Sequence, residues 1–439
     1  MIAKIFPKQQ GCETVYFDIR NMTPLEYLRL MGVPEGCAKR LVDATGRKEG
    51  KRGPLCDGHI YRMAGNSIVC DVLMRIFENF LYEPKDVSRT DLFDNRPFTL
   101  PLNGRKMRVV TLCSGYDSQC IALEMLKQRH KDFDYELVAW AEFDPDSTRP
   151  IEAQPAVIAH NILFPQWAER NVGDMTLTDW NKLKIADIDL LTYSTPCQSI
   201  SMAGRREGMA KDSGTRSSLI WHTEKAIAEL RPRVLLMENV KAIVFKDNRP
   251  DFQEWCRVLQ RQGYVNFIAP QFRRSDGTLT TLGILNASDY GVAQNRERLL
   301  MVSIREDVLG NATYYYPRPI PLDKTVRDYV EEDVDKRLFL DPLAVVRFVT
   351  NGAPDDGCLY AITDISLVKM KKMIIERVGV LRFHRSENAK RLRHIYGDNS
   401  GKIRFQDKAL TLNPQDTANT LTSGLKDNLI MIVYGGTKD

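Results

Sequence analysis

The sequence has no apolar run long enough to cross a bilayer, no internal repeat and no low-complexity tract. A membrane-spanning helix needs about 20 apolar residues, so none is expected. The first residues include Lys4 and are interrupted by Pro7, which is not typical of a secretory signal. The nine cysteines are odd in number and none forms a Cys-x-x-Cys pair, so neither a disulfide framework nor a zinc ribbon is expected. These absences favour a reducing compartment, and we expect a cytoplasmic protein with no membrane partner and no metal site.

The composition is that of a folded globular chain. Apolar residues make up 43% of the sequence, charged residues 27% and aromatic residues 9%, which excludes a collagen, a coiled coil and extensive disorder. The chain of 439 residues exceeds the usual size of one domain. Two domains, or one large α/β domain with an added module, are therefore expected.

Positive charge is concentrated in one segment. Between Lys369 and Lys408 there are twelve basic and four acidic residues, a local charge of +8 within a net charge of +5. Such a run is often a solvated helix face. It is also the pattern of a surface that binds a polyanion, and both interpretations stay open at this point.

Short apolar runs alternate with amphipathic segments in the middle of the chain. The runs, which we interpret as buried parallel strands, are Arg108 to Cys113, Glu136 to Ala141, Ile188 to Tyr193, Val234 to Met237 and Leu299 to Ile304. The segments with helical spacing are Gln119 to Gln128, Ser217 to Leu230 and Asp251 to Gln262. This alternation predicts a doubly wound, mostly parallel α/β domain over about residues 107–310.

A separate block precedes this domain. Thr23, Pro24 and Glu26 have the spacing of a capping box with proline in the first turn, which predicts a helix there. A second helix is expected from Ile68 to Leu81. The polar stretch that follows, with several prolines and many charges, indicates a linker over residues 87–106.

Three short segments carry residues able to do chemistry. Cys197 follows a predicted strand directly, Glu238 ends another, and Arg296 and Arg298 stand two residues apart just before a third. Open α/β sheets bind ligands at the carboxyl ends of their strands. Taken singly, each has a plainer interpretation, since a lone cysteine is usually a small buried residue and paired arginines usually lie on the surface.

Taken together, these segments resemble the DNA (cytosine-5)-methyltransferases. The matching motifs, in the family's order, are Pro-Cys-Gln at Cys197, Glu-Asn-Val at Glu238 and Gln-x-Arg-x-Arg ending at Arg298. The resemblance implies a fold of the S-adenosylmethionine-dependent, Rossmann-like class. It implies that Cys197 attacks C6 of a flipped-out cytosine, that Glu238 bonds N3, and that Arg298 bonds O2, with Arg296 nearby.

The resemblance also implies a site for S-adenosyl-L-methionine. Its expected residues are Gly115 after the first strand, Glu142 on the ribose, Phe143 on the adenine ring, Asp174 on the adenine amino group, and Asn66 and Ser67 near the methionine end. One segment departs from the family. Where a glycine-rich Phe-x-Gly-x-Gly-Gly motif is expected, the chain reads Cys113-Ser-Gly-Tyr-Asp-Ser and keeps only Gly115.

The order of the motifs indicates a circular permutation. Arg20-Asn-Met-Thr-Pro-Leu-Glu and Gly65-Asn-Ser resemble segments that close most chains of the family but come first here. The stretch from Thr420 to Tyr434 resembles the segment that normally runs into them. We therefore expect a permuted segment (1–86), a linker (87–106), a catalytic domain (107–310) and a smaller target-recognition domain (311–439).

These expectations include partners and alternatives. Double-stranded DNA is the expected substrate, with the basic segment on its backbone, in a restriction-modification or orphan methylase that could have a cognate restriction endonuclease. An RNA cytosine-C5 methyltransferase would use the same chemistry. A catalytically silent DNA-binding or cofactor-sensing protein would explain the eroded glycine motif, although Cys197, Glu238 and Arg298 argue for an enzyme.

Overall fold

The structure, a computed structural model, describes residues 2–8, 11–48, 51–84, 96–195, 219–245, 247–339, 360–362, 375–384, 409–412, 418–419 and 429–434. The chain divides into two compact units. Unit 1 contains Met1–Leu30, Ala293–Asn295 and Asp323–Asp439, and unit 2 contains Met31–Val292 and Arg296–Leu322. Each unit is assembled from separate stretches of chain, and the stretch 1–86, which we expected to complete both the catalytic and the small domain, is divided between the units after Leu30.

The described residues form both strands and helices. The strands are β1 (Ile2–Lys8), β2 (Gly11–Asn21), β3 (Arg47–Lys48), β4 (Lys51–Arg52), β5 (Met107–Leu112), β6 (Tyr135–Ala141), β7 (Leu190–Tyr193), β8 (Val234–Val240), β9 (Tyr264–Phe267), β10 (Ile284–Asn286), β11 (Gln294–Asn295), β12 (Glu297–Arg305), β13 (Tyr360–Ile362), β14 (Ile375–His384), β15 (Ala409–Leu412), β16 (Ala418–Asn419) and β17 (Leu429–Tyr434). The α-helices are α1 (Pro24–Leu30), α2 (Glu35–Asp43), α3 (Asp57–Asn66), α4 (Cys70–Leu81), α5 (Ser118–Arg129), α6 (Pro155–Leu163), α7 (Ile220–Leu230), α8 (Arg249–Arg261) and α9 (Glu306–Leu309). Short 3₁₀ helices occupy Ile151–Ala153, Pro165–Arg170, Trp180–Leu183, Lys241–Val244, Ala287–Tyr290, Val326–Tyr329 and Lys336–Leu338. No helix in these described ranges has the length and apolar composition needed to span a bilayer.

Unit 2 is built on a mostly parallel, mixed sheet in the order β6-β5-β7-β8-β12-β10, with β9 also beside β12. The strands β6, β5, β7 and β8 pair in parallel. The predicted α/β class is confirmed. The chain leaves β5 for β6 on one side and reaches β7 on the other, and such a switch point opens a crevice at the carboxyl ends of the strands.

The expectation that Leu299 to Ile304 is a parallel strand is wrong. This run lies in β12, which pairs antiparallel with β8, β9 and β10. Its residues are as fully buried as those of the parallel strands. Burial on both faces removes the polar alternation that would mark an antiparallel strand, so the sequence pattern could not give its direction.

Aromatic residues fill the core beside this sheet. Trp255 of α8 is fully buried and donates its indole N–H to the hydroxyl of Tyr193 at 3.0 Å. Leu112, Leu191 and Met301, from β5, β7 and β12, are also fully buried in the same cluster. Burying each such side chain contributes about 1.5–3 kcal/mol, which fixes the strand ends on which the site is built.

Part of the expected linker packs onto unit 2. Phe98 and Leu100 are buried, the N–H of Leu100 donates to the carbonyl of Phe80 at 2.7 Å, and that of Phe98 donates to Thr313 at 2.8 Å. Residues 85–95 lie outside the described part of the chain. Because side chains two residues apart in an extended stretch project to the same side, Phe98 and Leu100 pack residues 96–100 against unit 2.

A buried carboxylate stabilises the amino edge of the same sheet. Asp189, just before β7, is fully buried and receives two hydrogen bonds from Arg105 at 2.5 and 2.6 Å and one from Arg233 at 2.5 Å. The backbone N–H of Arg108 adds a fourth at 2.9 Å. This cluster ties β5, β7 and β8 together at the edge opposite the strands' carboxyl ends.

Unit 1 contains an antiparallel sheet in the order β13-β1-β2-β17-β14-β15. The predicted capping box is confirmed, since Thr23 Oγ1 accepts from the Glu26 N–H at 3.1 Å and Glu26 Oε2 accepts from the Thr23 N–H at 2.7 Å. Arg20, at the end of β2, pairs with Glu26 through two hydrogen bonds of 2.5 and 2.8 Å. The segment Arg20-Asn-Met-Thr-Pro-Leu-Glu is thus one hydrogen-bonded turn into α1.

Candidate active site

The carboxyl ends of β7 and β8 hold a carboxylate between two donors. Glu238 lies near the end of β8 and is 7% exposed. Its Oε2 accepts a hydrogen bond from Ser194 Oγ, which follows β7 directly. Its Oε1 lies 3.0 Å from Nε of Arg298. Both oxygens of the Glu238 carboxyl are therefore held in place at the edge where the sheet opens.

The pairing of β8 with β12 explains how Arg298 reaches Glu238. Leu300 lies opposite Glu238, and Arg298 lies opposite Val240. Because side chains two residues apart project from the same face of a strand, Arg298 and Leu300 share the face of Glu238. A register fixed by the buried strands therefore sets the 3.0 Å separation.

The loop after β7 leads towards Cys197. Asn239, buried on β8, donates its Nδ2 to the carbonyl of Thr195 at 3.4 Å, which fixes the path of that loop. Cys197 itself, with residues 196–218, lies outside the described residues. The structure thus describes the chain up to two residues before the expected nucleophile.

Arg296 lies at a different place from Arg298. Its buried guanidinium donates Nη2 to the carbonyls of Gly65 at 2.8 Å and Ser67 at 2.6 Å. These carbonyls belong to the end of α3, where backbone oxygens have no partner within the helix. The structure therefore brings Arg296 together with the Gly-Asn-Ser turn, and brings Arg298 together with Glu238. Asn66, between Gly65 and Ser67, is exposed.

The loop after β5 brings two of the expected cofactor residues, Gly115 and Glu142, together. The N–H of Gly115 donates to Glu142 Oε2 at 2.7 Å, and Glu142 follows the end of β6. Gly115 has a φ of +59°, and a Cβ built there would meet no described atom within 4 Å. Open space therefore lies beside Gly115, near its contact with Glu142 at the carboxyl ends of β5 and β6.

The Glu142 carboxyl has a perturbed pKa. The pKa is raised to about 7, chiefly by burial and to a smaller extent by the nearby charges of Asp144 and Asp117, while the hydrogen bond from the Gly115 N–H lowers it. A carboxyl with a pKa near neutrality in a cleft is typical of a functional site.

A second turn completes this part of the cleft. Asn171 Oδ1 accepts from the Gly173 N–H at 2.9 Å and from the Glu142 N–H at 3.3 Å, so it ties the end of β6 to the Gly173-Asp174 turn. Asp174 Oδ1 accepts from the Thr176 N–H at 2.9 Å. Phe143, next to Glu142, is half-buried. Asn171 therefore holds the turn at Asp174 near Glu142.

The departure from the glycine-rich motif has a structural counterpart. Asp117 has a φ of +66°, a conformation that costs about 1 kcal/mol for a residue with a Cβ. Its carboxylate is fully buried, accepts from the Cys120 N–H at 3.0 Å and caps α5. Thr111 of β5 donates its hydroxyl to the same carboxylate at 2.8 Å. These bonds offset the backbone strain. Aspartate also adopts the left-handed region more readily than most residues do.

Sequence reasoning missed Ser194 and Asn171. Ser194 is visible in the sequence as the residue after the strand Leu190–Tyr193, at the same sheet edge as Glu238, and this placement was a usable signal. Asn171 gives no such signal, because its role depends on the fold of the segment between α6 and Gly173.

The fold and the site together define an α/β class in which one strand-end carboxylate accepts from a glycine N–H and a second is held by an arginine. The sequence profile described as C-5 cytosine-specific DNA methylase matches residues 107–344, more than half of the chain. The chain belongs to this family.

Curated relatives agree over part of their length. The chain is 38% identical over 171 residues to the type II methyltransferase M2.ScrFI of Lactococcus lactis subsp. cremoris, covering 39% of this chain and 42% of that protein. It is 37% identical over 150 residues to the orphan methyltransferase M.SssI of Spiroplasma monobiae, covering 33% and 35% respectively. The chain therefore spans less than half the length of these curated relatives.

Solved structures resemble the chain more distantly. The Dnmt2 methyltransferase of S. pombe is 17% identical with a TM-score of 0.34, covering 55% of this chain and 64% of that one. The methyltransferase EhMeth of Entamoeba histolytica is 15% identical with a TM-score of 0.35, covering 56% and 66%.

Proposed function

We propose that this protein transfers a methyl group from S-adenosyl-L-methionine to C5 of a cytosine flipped out of duplex DNA. The observation that carries the proposal is the Glu238 carboxyl, held by Arg298 and Ser194 at the end of β8 in a chain of this family. We further propose a role in restriction-modification or as an orphan methylase, in which a cognate restriction endonuclease would be a partner.

The chemistry requires a nucleophile first. Cytosine C5 is too weak a nucleophile to take a methyl group, so we assign to Cys197 the thiolate that adds to C6 and makes C5 enamine-like. C5 would then take the methyl group as the methyl–sulfur bond of S-adenosyl-L-methionine breaks and S-adenosylhomocysteine leaves. Loss of the C5 proton to a base and expulsion of the Cys197 thiolate restore the aromatic ring.

Glu238 and Arg298 stabilise charge that develops on the ring. We assign to Glu238 the bond to N3 and to Arg298 the bond to O2, because the two side chains lie 3.0 Å apart and face the same crevice edge. We assign to Arg296 a positioning role, since its guanidinium already binds the carbonyls of Gly65 and Ser67.

The residues around Glu142 fit the proposed cofactor. Open space beside Gly115 leaves room for a ligand, and a carboxyl at the end of β6 suits the ribose hydroxyls. When bound, S-adenosyl-L-methionine supplies an electrophilic methyl group. We assign Phe143 and Asp174 to the adenine, and Asn66 and Ser67 to the methionine end.

The proposed permutation is supported by strand pairing in unit 1. The strand β17 near the end of the chain pairs antiparallel with β2, with Tyr434 opposite Tyr16. In an unpermuted order, the stretch that holds β17 would precede the stretch that holds β1 and β2, so the paired strands would be close in the chain. We propose that the region 311–439 recognises the target, with the basic segment Lys369–Lys408, which lies mostly outside the described residues, on the DNA backbone.

A methylation assay with a matched variant tests this function. We expect the purified chain to label cytosine C5 of duplex DNA with the methyl group of S-adenosyl-L-methionine. Glu238→Gln should lower the rate by about 100-fold or more, because the bond to N3 strengthens in the transition state. Glu254→Gln, on the exposed face of α8, is the control and should leave the rate unchanged. Labelling of tRNA but not of duplex DNA would contradict the proposed substrate.

A further inference from the structure

A buried histidine lies beside the loop after β5, which belongs to the proposed cofactor site. His160 of α6 and Asp117 at the end of the loop are both fully buried, and Nε2 of His160 lies 3.6 Å from Asp117 Oδ2. Among the described residues, Nε2 has no hydrogen-bond partner. The other ring nitrogen, Nδ1, lies 3.4 Å from Asn161 Oδ1. Neither Asp117 nor His160 has a part in the proposed chemistry.

We propose that His160 is a positioning residue for the cofactor site, acting through Asp117. The Nε2 edge of the ring faces the buried carboxylate at 3.6 Å and holds Asp117 in its left-handed conformation. That conformation sets the loop 113–117, and with it the Gly115 N–H that donates to Glu142. The inference rests on the proposed function, because it assumes that this loop contacts S-adenosyl-L-methionine.

The loop itself explains why such support is needed. Cys113, Gly115 and Asp117 all have positive φ, and two of the three carry a Cβ. The N–H of Asp117 donates to the Ser114 carbonyl at 2.8 Å, so the loop closes on itself between these residues. A buried carboxylate is costly unless several donors surround it. Thr111 and the Cys120 N–H donate to Asp117, and Nε2 of His160 faces it at 3.6 Å; a glycine at this position would need none of them.

His160 also contacts the strand that carries Glu142. Its ring stacks on Trp140 of β6, with centroids 3.6 Å apart and planes inclined by 17°. Trp140 lies two residues before Glu142, and its indole N–H donates to the Trp167 carbonyl at 2.9 Å. One side chain therefore supports both partners of the Gly115–Glu142 contact, through Asp117 on one side and Trp140 on the other.

Two substitutions separate the polar role of His160 from its stacking role. His160→Phe keeps a ring on Trp140 and removes Nε2, whereas His160→Gln keeps an N–H group at the position of Nε2 and removes the ring. Calorimetry would give the affinity of each full-length variant for S-adenosylhomocysteine. We expect about a tenfold loss for H160F, because the buried carboxylate loses the polar group that faces it, and at most a threefold loss for H160Q.

A matched control lies at the other end of α5. His130 also stacks on an aromatic ring, that of Tyr82, and its Nε2 lies 2.7 Å from Glu78. His130→Phe should leave the affinity within twofold. For H160F the methylation rate at saturating cofactor and the affinity for duplex DNA should also stay within twofold of the wild type, which separates positioning of the cofactor from general unfolding.

Each outcome decides the matter. An unchanged affinity in H160F, or an equal loss in H130F, would overturn the inference. If H160F does not fold, H160Q decides: a loss of at most threefold supports the role of Nε2, and a loss of tenfold or more overturns it. If the wild type binds neither S-adenosylhomocysteine nor S-adenosyl-L-methionine, the proposed function and this inference are both overturned. If the wild type and H160F bind S-adenosylhomocysteine with equal affinity, the inference alone is overturned.

Discussion

Arg296 donates Nη2 to the carbonyl oxygen of Ser67 at 2.6 Å, and so holds the end of α3 to the start of β12. Two residues further on, Arg298 lies 3.0 Å from the carboxylate of Glu238. The alternate arginines of one short segment therefore contact different groups. The first contacts the backbone near the proposed methionine end of the cofactor, and the second contacts the proposed base-binding acid.

Replacing each arginine by lysine should separate these roles. Arg296→Lys should lower the free energy of unfolding by about 1–3 kcal/mol, because a point charge cannot satisfy both carbonyls as the planar guanidinium does. Arg298→Lys should change it by less than about 1 kcal/mol and instead lower the methylation rate. Urea unfolding measured beside the methylation rate checks both, and equal effects on stability would contradict the assignment.

The pKa of Glu142 predicts a dependence of stability on pH. The folded-state pKa is near 7, above the ordinary value of 4.5, so the folded protein keeps a proton that the unfolded chain releases between these values. Stability therefore falls as pH rises from 4.5 to 7. Without cofactor, Glu142→Gln should be more stable than the wild type above pH 7, by on the order of 1–3 kcal/mol, and equal to it near pH 4.

Titration of Glu142 should also change the cofactor affinity, but in the opposite direction to the stability. Because ionised Glu142 accepts better from ribose hydroxyls, wild-type affinity for S-adenosyl-L-methionine should rise as pH increases through 7. The Gln variant should bind more weakly and without this step. Calorimetry at pH 6 and pH 8 measures both, and a step that persists in the variant would assign the titration to another group.

The structure could be predicted in part from the sequence. The strands at β5, β6, β7 and β8 were predicted because their residues are buried on both faces, and the capping box at Thr23 was predicted because it depends only on local spacing. The direction of β12 was not predicted, because burial on both faces removes the polar alternation that would mark an antiparallel strand.

The contacts that shape the candidate site depend on distant residues. Glu238 and Arg298 were proposed as a pair from the resemblance, but Ser194 and Asn171 join the site only through the fold. The pair of Asp117 and His160 connects two elements that local spacing does not relate. The Lys369–Lys408 segment and Cys197 lie mostly or wholly outside the described residues, so their roles stay predictions.

Ser194 provides a test of how Glu238 is held. Ser194→Ala removes the hydroxyl that donates to Glu238 Oε2, so the carboxyl should lose its orientation and the methylation rate should fall about tenfold. Cofactor affinity should stay within twofold. Ser303→Ala is the matched control, since Ser303 is a buried serine of β12 whose hydroxyl donates to Asn266 Oδ1 at 2.7 Å, away from Glu238. Equal losses in both variants would contradict a specific role.

Asp189 predicts a stability effect that does not depend on the proposed function. Asp189→Asn removes the charge shared by Arg105 and Arg233, and should lower the free energy of unfolding by about 2–4 kcal/mol. Asp134→Asn is the control, because Asp134 pairs at the surface with Lys106 and Lys127 and should change stability by less than about 1 kcal/mol. Urea unfolding of both variants measures the difference, and a loss below 1 kcal/mol for D189N would contradict it.

The central claim is that Cys197 forms a covalent bond to C6 of the target cytosine. A duplex carrying 5-fluorocytosine tests it most directly, because fluorine at C5 cannot leave as a proton does and so blocks release of the enzyme. With S-adenosyl-L-methionine present, mass spectrometry should detect a protein–DNA adduct at Cys197 in the wild type and none in Cys197→Ser, which should still fold and bind the duplex. Failure of the wild type to form an adduct on a duplex that it methylates, or an adduct of normal yield in the serine variant, would contradict the account.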